Sequence, residues 1–548
     1  MTTEGIVRVT PVMDTEPPAP LWPGAVWIGQ LDIQETPDEI PDDGIELHRG
    51  DRFTRARFLV WHGTQPRGFV DVAVHAGVVA GAELRAAIAD LPAVTGHAAV
   101  ELPPMSVVVC TKDRPGQLRD MLASMVDADY PEFEILVVDN GPDSGLTRPV
   151  VEEFADRGVR MVEAPMPGLS FARNIGVENA RHEIVAFTDD DVVADRRWLA
   201  NLARGFAHGP DVGCVSGLVP TAELVSPSQA YFDRRVGWAT SCERAVYHLD
   251  TPPPGDPLFP FRVARFGTGA NFAIRRSVVR ALGGFDEGMG VGSPTGGGED
   301  IDMFVRVLLG GYRFAYEPGA VIWHRHRDTA AGLETQIYNY GLGLGAWMTK
   351  LVLRPRTCVM VLRRALSGTR HLRRVTTVAD RDSDPAPLGL DGLDILERRG
   401  VLSGPLGLLR SRLAGRRAFP LRPGGPPVSA AAVAAALATI AAVAGGAGLL
   451  GAIPALPTPI RVLLVGGFML LGPGSLVMTW YTRLPGNAVA ALVPAVSLAV
   501  GILVTSGLLL LGVYGPTAVL LVMAGVTAAG GLLRRAKLAK TPTRTAVT

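Results

Sequence analysis

The chain has 548 residues, and 53 Lys plus Arg against 53 Asp plus Glu give a formal net charge of +0. That length implies several domains, and the balanced charge excludes the domain-wide basic excess with which nucleic-acid-binding proteins neutralise phosphates. A hydrophobic fraction of 47%, a charged fraction of 19% and a mean hydropathy of +0.23 exclude a disordered chain and place part of the sequence in lipid.

Residues 1–21, opening MTTEGIVRVTPVMDTEPPAP, read as a Pro-rich, acidic, mobile leader without the basic start, apolar run and cleavage site of a secretion signal. Residues 22–100 read as a small β-rich accessory domain. In it RARFLVWHG and GFVDVAVHAG flank a Gln65-Pro66-Arg67-Gly68 turn, and ELRAAIADL follows as a helix. Its sequence names no job. Residues 101–327 alternate short apolar strands (MSVVVC, FEILVVD, VRMVEA, EIVAFTD) with amphipathic helices such as RPGQLRDMLASMV. This alternation predicts an α/β fold, a Rossmann-like, mostly parallel sheet with flanking helices. Right-handed crossovers then collect the C-terminal strand ends along one edge, where such sheets bind ligands.

Residues 328–427 carry YNYGLGLGAWMTKLVLRPR and further Arg-rich stretches, which read as amphipathic helices lying on a membrane surface or packed on the α/β domain. From Pro427 to Arg534 only Arg461 and Arg483 are charged. Residues 428–548 therefore read as a transmembrane region of four helices with a basic tail, the spans being Val428–Ala452, Arg461–Tyr481, Asn487–Val513 and Pro516–Leu533. Turn chemistry separates them at Pro454–Pro457, Leu484-Pro485-Gly486 and Tyr514-Gly515-Pro516. Arg410, Arg412, Arg416, Arg417 and Arg422 before the first span, Arg483 in the middle, and Arg534, Arg535, Lys537 and Lys540 after the last fall on one side of a four-span bundle. The positive-inside tendency makes that side the cytoplasm, so the expected location is the cell membrane, multi-pass, with the α/β domain cytoplasmic. Four widely spaced cysteines, with no Cys-x-x-Cys pair and no zinc-spaced Cys/His cluster, fit that reducing compartment.

The strongest local signal is Thr188-Asp189-Asp190-Asp191, closing the strand EIVAF. Carboxylates this close repel one another, so at a ligand-binding strand end they call for a divalent cation, Mg²⁺ or Mn²⁺, which would in turn grip a diphosphate. Otherwise one Asp is a helix cap and the others are solvated. Polar groups recur along the same edge: Cys110-Thr111-Lys112-Asp113-Arg114-Pro115 ends the first strand, Val138-Asp139-Asn140-Gly141 the second, and Gly168-Leu-Ser-Phe-Ala-Arg173-Asn174 opens a helix. Further on come Gly267-Thr268-Gly269-Ala270-Asn271, Gly296-Gly297-Gly298-Glu299-Asp300, and Tyr312 to His324.

In this order, over Met105 to His326, these motifs resemble the family 2 glycosyltransferases of GT-A fold. The resemblance implies an enzyme that moves a sugar from a nucleoside-diphosphate sugar to an acceptor hydroxyl with inversion. By it, Thr111, Asp113, Arg114, Asp139, Arg173, Asp189 and Asp190 bind the nucleotide sugar, while Asn174 supports a loop. Asp191 and Asp189, with His324, hold the metal, Mn²⁺ or Mg²⁺. Gly269 and Asn271 line the donor-sugar and acceptor cleft. Asp300 is the general base, and Glu299 orients the acceptor. The implied partners are the donor, a glycan or lipid-linked acceptor of the cell envelope and membrane lipid, with no nucleic acid. A processive polysaccharide synthase would share this fold, but no Gln-x-x-Arg-Trp motif follows Glu299-Asp300. A nucleotidyltransferase would carry a Gly-rich basic loop where CTKDRP stands. A non-catalytic nucleotide-sugar-binding scaffold would not need Asp189, Asp191 and Asp300, and a transporter would need more polar spans.

Overall fold

The computed structural model describes residues 7–14, 21–33, 40–93, 100–239, 241–354, 356–358, 360–361, 392–416, 430–481, 486–510 and 515–539. Most of the expected leader, Arg417, Arg422, Arg483, Lys540 and most of the tail lie outside the described residues. The chain forms two compact units, one of residues 1–349 with 364–424 and one of residues 350–363 with 425–548.

The first unit begins with two small sheets. Strands β1 (Val7–Val9), β3 (Ile45–Leu47) and β6 (Val78–Val79) form one in the order β1-β3-β6; β2 (Trp27–Asp32), β4 (Arg55–His62) and β5 (Gln65–Ala73) form the other in the order β2-β4-β5. Both close on a core that includes Trp27, Phe58, Val60 and Leu84. The hairpin turn lies two residues earlier than expected. His62 pairs with Gln65, so Gly63-Thr64 make the turn, with Gly63 at φ +60°, and Pro66 sits on the edge strand, where a missing N–H costs no ladder bond. Arg67 is also not a turn residue: its guanidinium donates to the carbonyls of Ile88, Leu91 and Pro92 at the end of the helix Gly81–Ala89.

The main sheet follows. Its strands are β7 (Met105–Thr111), β8 (Phe133–Asp139), β9 (Val159–Glu163), β10 (Ile184–Thr188), β11 (Val192–Ala194), β12 (Val212–Leu218), β13 (Ala245–Tyr247), β14 (Asn271–Arg275) and β15 (Arg313–His324). The order is β11-β15-β12-β14-β10-β7-β8-β9, with β13 also on β15. The pairs β8·β9, β7·β8, β10·β7 and β12·β15 are parallel, and β14 runs antiparallel between β10 and β12. Strands buried on both faces read as nearly unbroken Val, Ile and Leu, as Met105–Val109 and Ile135–Val138 do. Helices such as Pro115–Met125, with Leu118, Met121 and Leu122 inward, cover them. The expected sheet with flanking helices is present, but it is mixed rather than mostly parallel, because β14, β11 and β13 all pair antiparallel with their neighbours.

Two further helices complete this unit, Ala330–Val352 and Leu393–Leu413. Glycines let their backbones touch: a side chain on Gly341 would strike the carbonyl of Glu397, and one on Gly404 the backbone of Gly345 and Ala346. Arg412 pairs with the buried Asp286, and Ser411 donates to the carbonyl of Gly288. In YGLGLGAW, Gly341 and Gly345 meet the helix Leu393–Leu413, and Gly343 meets the loop at Gly297.

The second unit contains the helices Ala430–Gly451, Thr458–Met478, Gly486–Leu510 and Pro516–Ala539, in the four places expected. Among the described residues three stretches, Val433–Gly451, Thr458–Met478 and Pro516–Leu538, are long and apolar enough to cross a membrane, with mean hydropathies of 2.0, 1.8 and 1.8. Within the remaining helix the described apolar stretch is the shorter Leu492–Thr505. Small residues set the packing, Gly445 lying against Ala524 and Ala528, and Gly531 against Ala438 and Ala442.

Candidate active site

The polar strand ends meet on one edge of the main sheet. Asp189, Asp190 and Asp191 follow β10 directly, and β11 then turns back antiparallel to β15, with Val192 opposite His324. This pairing brings the acids to a histidine far away in sequence. Single ligand atoms of Asp189, Asp191 and His324 all lie within 4.8 Å of one another, and His324 Nε2 is 3.4 Å from Asp191 Oδ1. Two carboxylates and an imidazole suit Mn²⁺ or Mg²⁺. Octahedral ligands at about 2.1 Å from an ion stand about 3 to 4.2 Å apart, so the three residues fit such an ion after side-chain adjustments of a few tenths of an ångström.

Cationic groups already answer part of this negative charge. Arg114 Nη1 donates to Asp190 Oδ1 at 2.9 Å and to Asp191 Oδ2 at 3.2 Å, and Arg327 Nη2 is 3.2 Å from Asp191 Oδ2. Burial, with the neighbouring Asp191 and Asp190 outweighed in part by Arg173, pushes Asp189 up to about 7. Burial first, then Asp191, also raises Asp190. His324 is lowered, chiefly by burial, so it is held as neutral imidazole, the form that binds a metal.

On the neighbouring strand ends, Thr111 is buried and its hydroxyl donates to Asp190 Oδ2 at 2.7 Å, which commits it to holding that carboxylate. Asp139 ends β8 and accepts from the N–H of Gly141 at 2.9 Å. Asp113 is exposed in the left-handed region, at φ 58°, beside Gly141, which has no room for a side chain next to Asp113 Oδ1. Strained backbone of this kind gathers at ligand-binding positions.

The second half of the site sits at the start of the helix Glu299–Leu309, entered through Gly298 at φ +88°. Asp300 is half-buried, and its Oδ2 accepts from the N–H of Gly269 at 2.8 Å. Gly269 has space for no side chain, because a Cβ there would lie 2.9 Å from Arg173 Nη2 and 3.0 Å from Asp300 Oδ2. Tyr340, from the helix Ala330–Val352, is exposed and stands beside Phe232 and Trp238, with ring centroids 5.9 and 6.4 Å away.

Three expected contacts take a different form. Arg173 is 2% exposed, its guanidinium within 5.8 Å of the ring centroids of Phe187, Phe272 and Phe285. It donates to Glu299 Oε1 at 3.0 Å and to the carbonyl of Gly269 at 2.9 Å, and stands 3.8 Å from Asp189 Oδ1. It is thus an internal bridge between the acid cluster and the Asp300 end. Glu299 turns its carboxylate inward to Arg173 rather than towards an acceptor, and burial, then Asp300, push it up to about 7. Asn271 is fully buried; its amide donates to the carbonyls of Leu218 and Ala320 and accepts from Trp198 Nε1. That amide fastens the sheet instead of lining a sugar cleft. Asn174 holds the carbonyl and N–H of Phe285, the loop support expected of it. Sequence reasoning stopped at His324 and missed Arg327. The alternation His324-Arg325-His326-Arg327 just past a strand end was the available signal for Arg327.

Residues 106–283 match the family model of Glycosyl transferase family 2. The chain is 27% identical over 237 residues to the probable glycosyltransferase YdaM of Bacillus subtilis, covering 42% of this chain and 52% of that protein. It is 27% identical over 226 residues to the pre-mycofactocin glycosyltransferase of Mycobacterium tuberculosis, covering 41% and 43%. It is 26% identical over 192 residues to the glucosyl-dolichyl phosphate glucuronosyltransferase of Haloferax volcanii, covering 34% and 57%. The match spans about half the length of these curated relatives. Residues 106–283, which hold most of the main sheet and its acid-lined edge, are thus a Glycosyl transferase family 2 domain.

Proposed function

We propose that the protein is a membrane-anchored, inverting glycosyltransferase that moves a sugar from a nucleoside-diphosphate sugar to an acceptor hydroxyl. The observation that carries this reading is the convergence of Asp189, Asp191 and His324 on one side of Arg173 and of Asp300 on the other. A leaving-group site and a base site thereby share one buried bridge.

In the proposed reaction Asp139 and Asp113 accept hydrogen bonds from the base and ribose. Asp189, Asp191 and His324 would hold a divalent cation, which would supply Lewis-acid neutralisation of the departing diphosphate. Arg114 and Arg327 add positive charge at the same edge. Asp300, oriented by the Gly269 N–H, takes the proton from the acceptor hydroxyl as that oxygen bonds to the anomeric carbon. The bond from that carbon to the diphosphate breaks, and its electron pair leaves on the nucleoside diphosphate. Attack from the face opposite the leaving group inverts the centre, so no covalent enzyme intermediate arises. The apolar helices of the second unit favour an acceptor at a membrane, a lipid-linked or cell-envelope glycan, and a relative named for acting on a glucosyl-dolichyl phosphate supports that choice. Basic residues near the first and last membrane helices, Arg410, Arg412, Arg416, Arg534, Arg535 and Lys537, support a cytoplasmic catalytic unit.

The test is product stereochemistry with Asp300 variants. Incubation of the full chain with its donor and a lipid-linked acceptor is expected to give a product of inverted anomeric configuration by NMR. A retained configuration, or undiminished transfer by Asp300→Asn, would contradict the mechanism.

A further inference from the structure

His324 presents two ring nitrogens to different neighbours. Nε2 faces the acids, 3.4 Å from Asp191 Oδ1. Nδ1 faces away from them, 3.2 Å from Nδ1 of His326. Neutral imidazole carries one proton, so a nitrogen can offer its lone pair to a cation only if the other holds the proton. For Nε2 to be the ligand, Nδ1 must be the donor, and its N–H must find an acceptor in a buried setting. His324 and His326 are 7% and 3% exposed, so water is a poor substitute partner for either ring.

His326 is itself held in place. Its ring stands edge-on to Phe232, with centroids 4.8 Å apart, and near Trp238 at 6.1 Å. Its carbonyl accepts from Gln229 Nε2 at 3.4 Å, and Gln229 is locked by the capping box that starts the helix Pro227–Val236. A ring fixed on several sides keeps its Nδ1 lone pair aimed at one point. Histidines that ligate metals regularly donate their second N–H to such an outer partner, and losing that partner typically costs about 10- to 100-fold in metal affinity.

We propose that His326 is a positioning residue for the metal site, its Nδ1 accepting the Nδ1–H of His324 so that Nε2 of His324 is left unprotonated and aimed at the cation. The proposal rests on the reading of Asp189, Asp191 and His324 as a metal site. It gives His-x-His at the end of β15 a division of labour. The first histidine is the ligand, and the second sets its tautomer and ring orientation.

The test uses Mn²⁺ as probe on the detergent-solubilised full chain. Affinity is read from the EPR signal of free Mn²⁺, and the nitrogen ligand from the ¹⁴N modulation in pulsed EPR of the bound ion. His326→Phe keeps an aromatic ring but removes the acceptor, and is expected to weaken Mn²⁺ binding about 10- to 100-fold and to diminish the ¹⁴N modulation. His326→Asn restores an acceptor oxygen near the lost nitrogen and is expected to recover most of both, which a purely space-filling role would not produce. Thermal unfolding without metal identifies any variant that fails to fold, and the Asn variant then decides. Wild-type affinity and full modulation in His326→Phe would overturn the proposal while leaving the metal site standing. Absence of Mn²⁺ binding in the wild type would overturn the metal site and the proposal together.

Discussion

Asp300 is the residue on which the chemistry is expected to turn. Asp300→Asn keeps a group that can accept from the Gly269 N–H but cannot take a proton. It is expected to lower the transfer rate about 10²- to 10⁴-fold with nucleotide affinity unchanged, as measured by initial rates beside a binding titration. Glu299, one position earlier, has a different role. Burial first, then the Asp300 carboxylate, push it up from 4.5 to about 7 against the pull of Arg173. The folded protein holds this proton more tightly than the unfolded chain. The associated stability is therefore complete below about pH 4.5 and lost as pH rises through about 7. Glu299→Gln carries no such proton, so it is expected to lose less stability than the wild type between about pH 5 and pH 8, read as Tm. Equal losses in both proteins would contradict the assignment. These residue roles also mark where sequence was informative. Asp189 and Asp191 stood out because closely spaced carboxylates at a strand end repel one another, whereas Asp300 stood out only through its place in the family's order of motifs, since a carboxylate at a helix start is often a cap. The burial of Arg173 was not legible, since Phe187, Phe272 and Phe285 reach it from three separate segments. Asn271 looked like a sugar ligand for the same reason: its partners Leu218, Ala320 and Trp198 lie on other strands and a helix.

At the scale of elements, the helix Ala330–Val352 lies against the loop that leads to Asp300, the proposed base. Gly343 lies so close to the loop Gly296-Gly297-Gly298 that a Cβ there would stand 2.6 Å from the carbonyl carbon of Gly297. Gly343→Val therefore displaces the segment that feeds Glu299 and Asp300. It is expected to cost about 1–3 kcal/mol of stability and to reduce transfer more than it reduces Mn²⁺ binding, measured by unfolding and the two titrations. Unchanged transfer would contradict this role for the loop. The alternation of strands and helices predicted the main sheet because its central strands are apolar on both faces, as Val107–Val109 and Ile135–Val138 are. The hairpin between β4 and β5 was misplaced by two residues. Pro66 resembles turn chemistry, yet an edge strand accepts it, and Gly63 supplies the positive φ instead. In YGLGLGAW, Gly341 and Gly345 serve close backbone contact between two helices, which hydrophobic patterning does not reveal.

At the scale of the whole molecule, the chain divides into a unit that carries the glycosyltransferase-family domain and a unit that carries the apolar helices. The proposed cytoplasmic placement of the first unit predicts which side a membrane-impermeant thiol reagent can reach. Gly116 is exposed, with nothing within 4 Å of where its Cβ would be, so Gly116→Cys makes a harmless probe. It is expected to be labelled in inverted membrane vesicles and not in intact cells; labelling of intact cells would reverse the orientation. The central claim is that the acid cluster and His324 hold a cation that binds a nucleotide, and the most direct measurement is calorimetric. UDP, GDP, dTDP and CMP would be titrated with and without Mn²⁺ into the detergent-solubilised full chain and into Asp191→Ala. The prediction is that one nucleotide binds only when Mn²⁺ is present and that Asp191→Ala loses this binding. No binding of any nucleotide under either metal condition would contradict the claim.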